Sequence, residues 1–182
     1  MAKKSQAKLT VELIPKTCHY SNVRTTIKTK DWNVLRFASY EKAKNKCEIC
    51  KEIGTDQGYP HNLECHEIWE YDDVNKVQKL IGLISLCPLC HQVKHIGRAN
   101  AMGRQASVFK QLEVVNNWGH KQVVEHVADA FTEYQERSQH EWLLDLSLLT
   151  EEPYNLKINL EAKRKMKRPK ARRRRRRSKP KA

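Results

Sequence analysis

Residues 63–100 of this chain read LECHEIWEYDDVNKVQKLIGLISLCPLCHQVKHIGRAN, and they contain the clearest secondary-structure pattern of the sequence. Two runs within it, 63–71 and 79–86, are rich in leucine, isoleucine and aromatic residues, and the segment between them is polar. This pattern predicts two strands joined as a hairpin. Pro88 then stands in the first turn of a helix predicted over 88–100. The order strand, strand, helix predicts an α+β protein with a small ββα core.

Four of the six cysteines form two equally spaced pairs, Cys47 with Cys50 and Cys87 with Cys90. Two thiolates three positions apart reach one ion from a tight turn, and two such turns complete a tetrahedral site. Residues 51–86 separate the pairs, a longer gap than the roughly 15–20 residues of a zinc ribbon. The predicted hairpin fills that gap. The spacing therefore predicts a structural zinc ion bound by the four thiolates.

Three histidines accompany the ββα core. His66 lies in the first predicted strand, whereas His91 and His95 follow the last cysteine and are separated by four residues. Side chains four apart share one face of a helix, so the two imidazoles can bind a second cation together. Lys94 and Arg98 are also four apart and are candidates for phosphate contacts. The combination indicates hydrolytic metal chemistry.

The chain resembles the HNH, or ββα-metal, endonucleases, whose core is similar to a treble clef. The resemblance is carried by the segments LECHEIWEYDD and VQKLIGLISLCPLCHQVKHIGRA, and CHYSNVR and HEWLLDLS are similar to the same bacterial and phage branch. It implies a metal-dependent endonuclease that hydrolyses phosphodiester bonds in DNA. His66 would be the general base. His91 and His95 would hold the active-site ion, which could be Mg²⁺, Mn²⁺, Ni²⁺ or Zn²⁺.

The sequence departs from the family at a metal-binding position. Cys65 stands where the family usually has an Asp or His ligand before the base, and a thiolate suits Zn²⁺ better than Mg²⁺. Either Cys65 is a ligand or a carboxylate supplies the missing donor, with Glu64 and Glu67 as candidates. Strand alternation groups Glu64 with His66 and Cys65 with Glu67. The sequence alone leaves this choice open.

A second departure is Gly82, which stands where the family usually has an Asn that orients the base. Asn75, in the predicted hairpin loop, is a candidate substitute. The two departures support an alternative function, a catalytically inactive HNH-fold zinc module that acts as a DNA- or RNA-binding or assembly protein. The endonuclease remains the favoured hypothesis because His66, His91 and His95 occur together.

The net charge of +14 is concentrated at the end of the chain. The whole sequence has 35 Lys and Arg residues against 21 Asp and Glu residues. Residues 163–182 contain no acid and 14 of those basic residues, so residues 1–162 are formally neutral. Six consecutive arginines repel one another, which predicts a disordered tail. Such a tail binds nucleic acid without sequence preference, and its candidate contacts are Arg172, Arg173, Arg174, Arg175, Arg176 and Arg177.

The pattern divides the chain into four predicted parts. Residues 1–30 form a basic N-terminal segment and residues 31–104 form the zinc domain. Residues 105–162 form a helical supporting region, and residues 163–182 form the tail.

Helices are predicted over 31–46, with Asp31 as the N-cap, and over 105–116 and 120–138. The apolar run 142–149 is ambiguous between a strand and the end of a helix.

The sequence also predicts the cellular compartment of the protein. It has no apolar run of the roughly 18 residues that a membrane span needs, and no signal peptide begins it. We therefore expect no membrane partner. The predicted compartment is the cytoplasm of a bacterial or phage-infected cell, or the nucleus if the host is eukaryotic. The expected partner is nucleic acid, with DNA favoured.

Overall fold

A computed structural model describes residues 7–158 and has an α+β fold with a three-stranded sheet. Strands β1 (Glu64–Asp72) and β2 (Val77–Leu86) pair antiparallel, and β3 (Leu143–Asp145) pairs parallel with β2, giving the order β1-β2-β3. The helices are α1 (Val23–Thr26), α2 (Thr29–Lys42), α3 (Pro88–Lys94), α4 (Ile96–Ala101), α5 (Gln105–Asn116), α6 (His120–Arg137) and α7 (Ser147–Thr150). Within residues 7–158, no helix combines the length and apolar character of a bilayer-spanning segment.

The hairpin and the helix that follows it are confirmed, but the predicted helix over 88–100 is wrong in one respect. The backbone at His95 has φ −107° and ψ 44°, outside helical values, so α3 ends at Lys94 and α4 begins at Ile96. The amide of His95 still bonds the carbonyl of His91 at 3.2 Å. His95 therefore stays one turn beyond His91 despite the break.

The predicted helix over 31–46 is also shifted. The helix begins at Thr29 with Lys28 as its N-cap, so Asp31 lies in the first turn instead of capping it. Lys44 and Asn45 both have φ 54°, a left-handed conformation that a right-handed helix cannot include. The helix consequently ends at Lys42, before the first cysteine pair.

Both alternatives for residues 142–149 occur in succession. A three-residue strand, β3, adds to the sheet beside β2, and α7 follows it. The two helices predicted over 105–116 and 120–138 are confirmed as α5 and α6.

A bulge divides the hairpin. The register shifts between Ile68 and Trp69, which pair with Gly82 and Leu80. Ile81 is therefore an extra residue on β2 with no partner on β1. Because one added residue reverses the alternation, Leu80 comes to share a face with Leu83. Both then pack in the same hydrophobic cluster.

The sheet separates two hydrophobic cores. One contains three of the paired cysteines together with residues of α3, α4, α5 and α6. The other is formed by Val23, Leu35, Leu80, Leu146 and Leu149. Leu9 and Val11, from the N-terminal segment, are buried in the first core, and the Asn116 side chain accepts a hydrogen bond from the Leu9 amide at 2.9 Å. Part of the basic segment therefore runs through the body of the protein.

Candidate metal centre

The four paired cysteines meet in one cluster. The sulfur atoms of Cys47, Cys50, Cys87 and Cys90 all lie within 4.8 Å of one another, and all but Cys50 are fully buried. Four sulfurs at such separations match the tetrahedral donor set of structural zinc sites. The cluster could bind a metal ion such as zinc.

Hydrogen bonds between the first cysteine turn and β2 bring the two pairs together. The amide of Glu48 donates to the carbonyl of Ser85 at 2.9 Å, and the amide of Ser85 donates to the Glu48 carboxylate at 2.6 Å. Ser85 lies two residues before Cys87. Lys51 closes the first turn. Its φ is 70°, and its backbone amide donates a hydrogen bond to the carbonyl of Cys47 at 3.0 Å.

Two glutamines donate hydrogen bonds to the cluster, and neither was a sequence candidate. Gln57 Nε2 lies 3.4 Å from Cys87 Sγ, and Gln111 Nε2 lies 3.2 Å from Cys90 Sγ. Amide donors of this kind orient metal ligands and stabilise negative charge on sulfur. They lie in a short 3₁₀ helix (Thr55–Gln57) and in α5, 30 and 21 residues from their acceptors, and no sequence spacing signals such contacts.

Hydrogen bonds among the sulfurs also favour a thiolate. The side chains of Cys50, Cys87 and Cys90 hydrogen-bond to Cys47 and lower the pKa of its thiol. A thiolate is the form of cysteine that binds metal ions. The same contacts raise the pKa of the Cys50 and Cys90 thiols, so they favour a thiolate at Cys47 and not at all four sulfurs.

His66, His91 and His95 form a second cluster. Their ring centroids are separated by 4.6 Å (His91 to His95), 5.0 Å (His66 to His95) and 5.3 Å (His66 to His91). One nitrogen from each ring lies within 4.8 Å of the others. The structure thus brings His66 within reach of an ion held by His91 and His95, in addition to its predicted role as the base.

Burial keeps two of these imidazoles neutral. It lowers the pKa of His66, and burial together with the neighbouring His91 lowers the pKa of His95 to about 3. Neutral imidazole is the form that accepts a proton or binds a metal ion. Both functions are therefore open to the cluster at neutral pH.

Glu64 is the carboxylate that joins the imidazole cluster. Its Oε2 contacts His91 Nδ1, and its Oε1 lies 2.8 Å from His61 Nε2. Burial alone would raise the pKa of Glu64, but hydrogen bonds from His91 and His61 bring it down to about 2. Glu64 is therefore ionised and in contact with His91, but its oxygens lie outside the set of donor atoms that the three imidazoles bring within 4.8 Å of one another.

Cys65 and Glu67, the other ligand candidates, are engaged elsewhere. Glu67 Oε1 accepts hydrogen bonds from the amides of Val23 at 2.8 Å and Arg24 at 3.3 Å, at the start of α1. Cys65 lies near Ser39 of α2, and burial raises the pKa of its thiol to about 11. Among residues 7–158, neither side chain belongs to a metal-binding cluster. The alternation along β1 separates them from Glu64 and His66.

His66 forms a hydrogen bond with Glu12, a residue of the N-terminal segment. Glu12 Oε2 lies 3.0 Å from His66 Nε2. Asn75 instead donates its side-chain amide to Asp72 Oδ2 at 2.6 Å within the hairpin turn, so the predicted substitute for the missing Asn does not reach His66. Glu12 was not a sequence candidate, because 54 residues separate it from His66.

Lys94 differs most from its predicted role. Its side chain is only 7% exposed, forms an ion pair with Glu12 and donates to Thr10 Oγ1 at 3.0 Å. A buried and paired ammonium is not available to a phosphate. The prediction of a phosphate contact for Lys94 is therefore wrong.

A cavity of about 680 Å³ opens beside the imidazole cluster. The three imidazoles line it together with Arg24, Arg98, Trp32 and Trp69. Arg24 and Arg98 are exposed, so the cavity combines candidate metal ligands with accessible positive charge. The predicted contacts Arg172 to Arg177 lie outside the described residues.

Replacing Lys94 with Met is expected to lower the free energy of unfolding by about 3 kcal/mol, because it removes one partner of a mostly buried ion pair. Urea unfolding measures this loss. Arg98→Met is the matched control, since Arg98 is exposed and lies four residues away on the chain. The control should change stability by less than about 0.5 kcal/mol. The assignment of Lys94 as a buried ion-pair partner would be wrong if Lys94→Met left stability unchanged.

Comparison with models of protein families, with curated proteins and with solved structures finds no match for this chain. Any functional conclusion therefore depends on the geometry above and on the resemblance of its motifs.

Proposed function

We propose that this chain is a metal-dependent HNH endonuclease that hydrolyses phosphodiester bonds in DNA. The observation that carries the proposal is the cluster of His66, His91 and His95 beside a cavity of about 680 Å³ lined by two exposed arginines. Hydrolysis of a phosphodiester requires a base, a cation and groups that hold the phosphate. The residues around this cavity include candidates for the base, for ligands that would bind the cation and for the groups that hold the phosphate.

His91 and His95 are the proposed holders of the divalent cation, with Glu64 as the oxygen donor. The ion would supply charge neutralisation at the scissile phosphate and at the leaving oxygen. Imidazole nitrogens favour Zn²⁺ and Ni²⁺ over Mg²⁺, whereas a carboxylate accommodates all three ions. We therefore expect stronger binding of Ni²⁺ or Zn²⁺ than of Mg²⁺.

His66 is the proposed general base. Its buried imidazole has a lowered pKa and is therefore neutral at the pH of the cell, which leaves one nitrogen free to accept the proton of the attacking water. Arg98 and Arg24 are the proposed contacts for neighbouring phosphates. Their guanidinium groups can bond phosphate oxygens in pairs.

The remaining parts of the chain have supporting roles in this proposal. The four-cysteine site would hold a structural zinc ion that fixes α3 and hence His91. Residues 163–182, with 14 basic side chains, would hold DNA without choosing a sequence. Binding and cutting would then depend on different parts of the chain.

Cleavage of supercoiled plasmid tests the proposal. The full-length protein, with zinc in the cysteine site, is assayed with Mg²⁺, Mn²⁺, Ni²⁺ and Zn²⁺ in turn. Nicked or linear product is expected with at least one ion and should be lost in His95→Ala. His120→Ala is the matched control, because the side chain of His120 is 71% exposed and lies on α6.

Absence of cleavage with every ion would favour the alternative of a catalytically inactive zinc module. One arrangement supports that alternative: Cys65, at the family's ligand position, stands apart from the three imidazoles. Binding assays of the same protein with DNA and with RNA would then identify the nucleic acid that it binds.

A further inference from the structure

We infer that Glu12 is a positioning residue that holds His66 as the Nε2–H tautomer and leaves Nδ1 as its basic nitrogen. The inference rests on the proposed function, because it concerns the same imidazole. It adds a residue from outside the ββα core, and Glu12 lies 54 residues before His66.

The carboxylate of Glu12 is fixed through both of its oxygens. Oε2 lies 3.0 Å from His66 Nε2, whereas Oε1 pairs with the Lys94 ammonium and lies 3.3 Å from Thr10 Oγ1. The backbone adds a further bond, from the amide of Glu12 to the carbonyl of Lys94 at 3.2 Å. The N-terminal segment is thereby attached to α3 at the point where the carboxylate meets the imidazole.

The chemistry of the pair determines which nitrogen carries the proton. An ionised carboxylate can only accept hydrogen bonds, so the nitrogen that faces it must be protonated. Burial would raise the pKa of Glu12, but hydrogen bonds from His66 and Lys94 lower it to about 2, which keeps the group ionised. His66 is only 3% exposed, and either proposed role, base or metal ligand, requires a neutral ring that carries a single proton. That proton is on Nε2, and the lone pair is on Nδ1.

A fixed tautomer serves either chemical role of His66. A base needs its free lone pair held in one orientation. The carboxylate of a serine-protease triad orients the catalytic histidine in this way. A metal-ligating histidine is usually oriented in the same way by a bond from its other nitrogen. Glu12 would thus perform the orienting function of the Asn that Gly82 replaces.

Nitrogen-15 NMR of the histidine rings tests the inference without requiring cleavage. The full-length protein is studied with zinc in the cysteine site and no other ion. In the wild type, His66 should show one protonated nitrogen, Nε2. His126 is the internal reference for the opposite tautomer, because its Nε2 accepts the amide of Val11 at 2.9 Å.

Two variants separate positioning from folding. Lys94→Met retains the carboxylate and should retain the Nε2–H tautomer of His66. The double variant Glu12→Leu with Lys94→Met removes the acceptor without leaving a buried ammonium unpaired, and it should give a mixture of tautomers. His126 should keep its Nδ1–H tautomer in both variants, because the Val11 amide remains as its donor. Cleavage by the double variant should fall about 10–100-fold below that of Lys94→Met, the usual effect of losing such an orienting partner.

The possible results have distinct meanings. An Nδ1–H tautomer in the wild type, or an unchanged Nε2–H tautomer in the double variant, would overturn the inference. Loss of the tautomer in Lys94→Met would overturn it as well, by assigning the role to the lysine. A fixed tautomer in a wild type that cuts no plasmid would uphold the positioning role and reject the endonuclease. The two proposals can therefore fail separately.

Discussion

Removal of the zinc ion that we propose for the four-cysteine site is expected to unfold the centre of this protein. Three of the four cysteines are 0% exposed and belong to the first hydrophobic core, which contains residues from α3 to α6 and from the N-terminal segment. Structural zinc contributes about 10–16 kcal/mol of binding free energy to small domains. The net stability of a domain is only about 5–15 kcal/mol. The free energy lost with the ion is therefore as large as the whole net free energy of unfolding.

Chelation and mutation provide independent measurements of this effect. Excess chelator, or Cys90→Ala, should abolish the near-UV circular dichroism of the tryptophans and the cooperative thermal transition. Cys65→Ala is the matched control, because Cys65 is a half-buried cysteine outside the cluster and should leave zinc content unchanged. A protein that binds no zinc and keeps its near-UV spectrum after chelation would show that the four thiols have no metal function.

Replacing His66 with Ala is expected to reduce DNA cleavage by about 10²–10⁴-fold, the usual contribution of a general base. DNA binding should be unaffected, because the proposed phosphate contacts and the basic tail remain. Binding of the active-site ion should also persist, because the proposed ligands His91, His95 and Glu64 are retained. The side chain of His66 is 3% exposed, so zinc content and the thermal transition must be checked in the variant.

Plasmid cleavage, DNA affinity and calorimetric metal binding together decide the role of His66. His120→Ala, an exposed histidine paired with Glu113, should match the wild type in all three measurements. Retained cleavage by His66→Ala would reject the base assignment. Loss of metal affinity together with cleavage would instead make His66 the third ligand, a role that its position within 4.8 Å of the other two imidazoles permits.

The parts of the site that were predicted from the sequence depend on short-range geometry. The cysteine pairs, the four-residue spacing of His91 and His95, and the alternation that separates Glu64 from Cys65 are all set by the backbone within one turn or two strand positions. The hairpin and the start of α3 at Pro88 have the same origin. For the choice among Glu64, Cys65 and Glu67, alternation supplied the grouping, and only the tertiary structure showed which group meets the imidazoles.

The errors arise where local preference and tertiary packing compete. Lysine is most often exposed, yet Lys94 is buried because the N-terminal segment crosses α3 and supplies Glu12 and Thr10 as partners. A strongly basic segment is a natural phosphate-binding candidate, yet its Leu9 and Val11 are core residues. Composition describes a segment as a whole, whereas packing selects individual side chains.

The sequence alone predicted the cluster of four sulfurs, the proximity of His91 and His95 and the ββα order. Each is a spacing that the geometry of a turn or a strand brings together within a few residues. The sequence also showed that the +14 charge lies in residues 163–182 and that the body is neutral. Only the tertiary structure decided that Glu12 bonds His66, that Lys94 is buried and that Gln57 and Gln111 donate to the sulfurs. These contacts join residues between 21 and 84 positions apart, and at such separations the path of the whole chain determines which side chains meet.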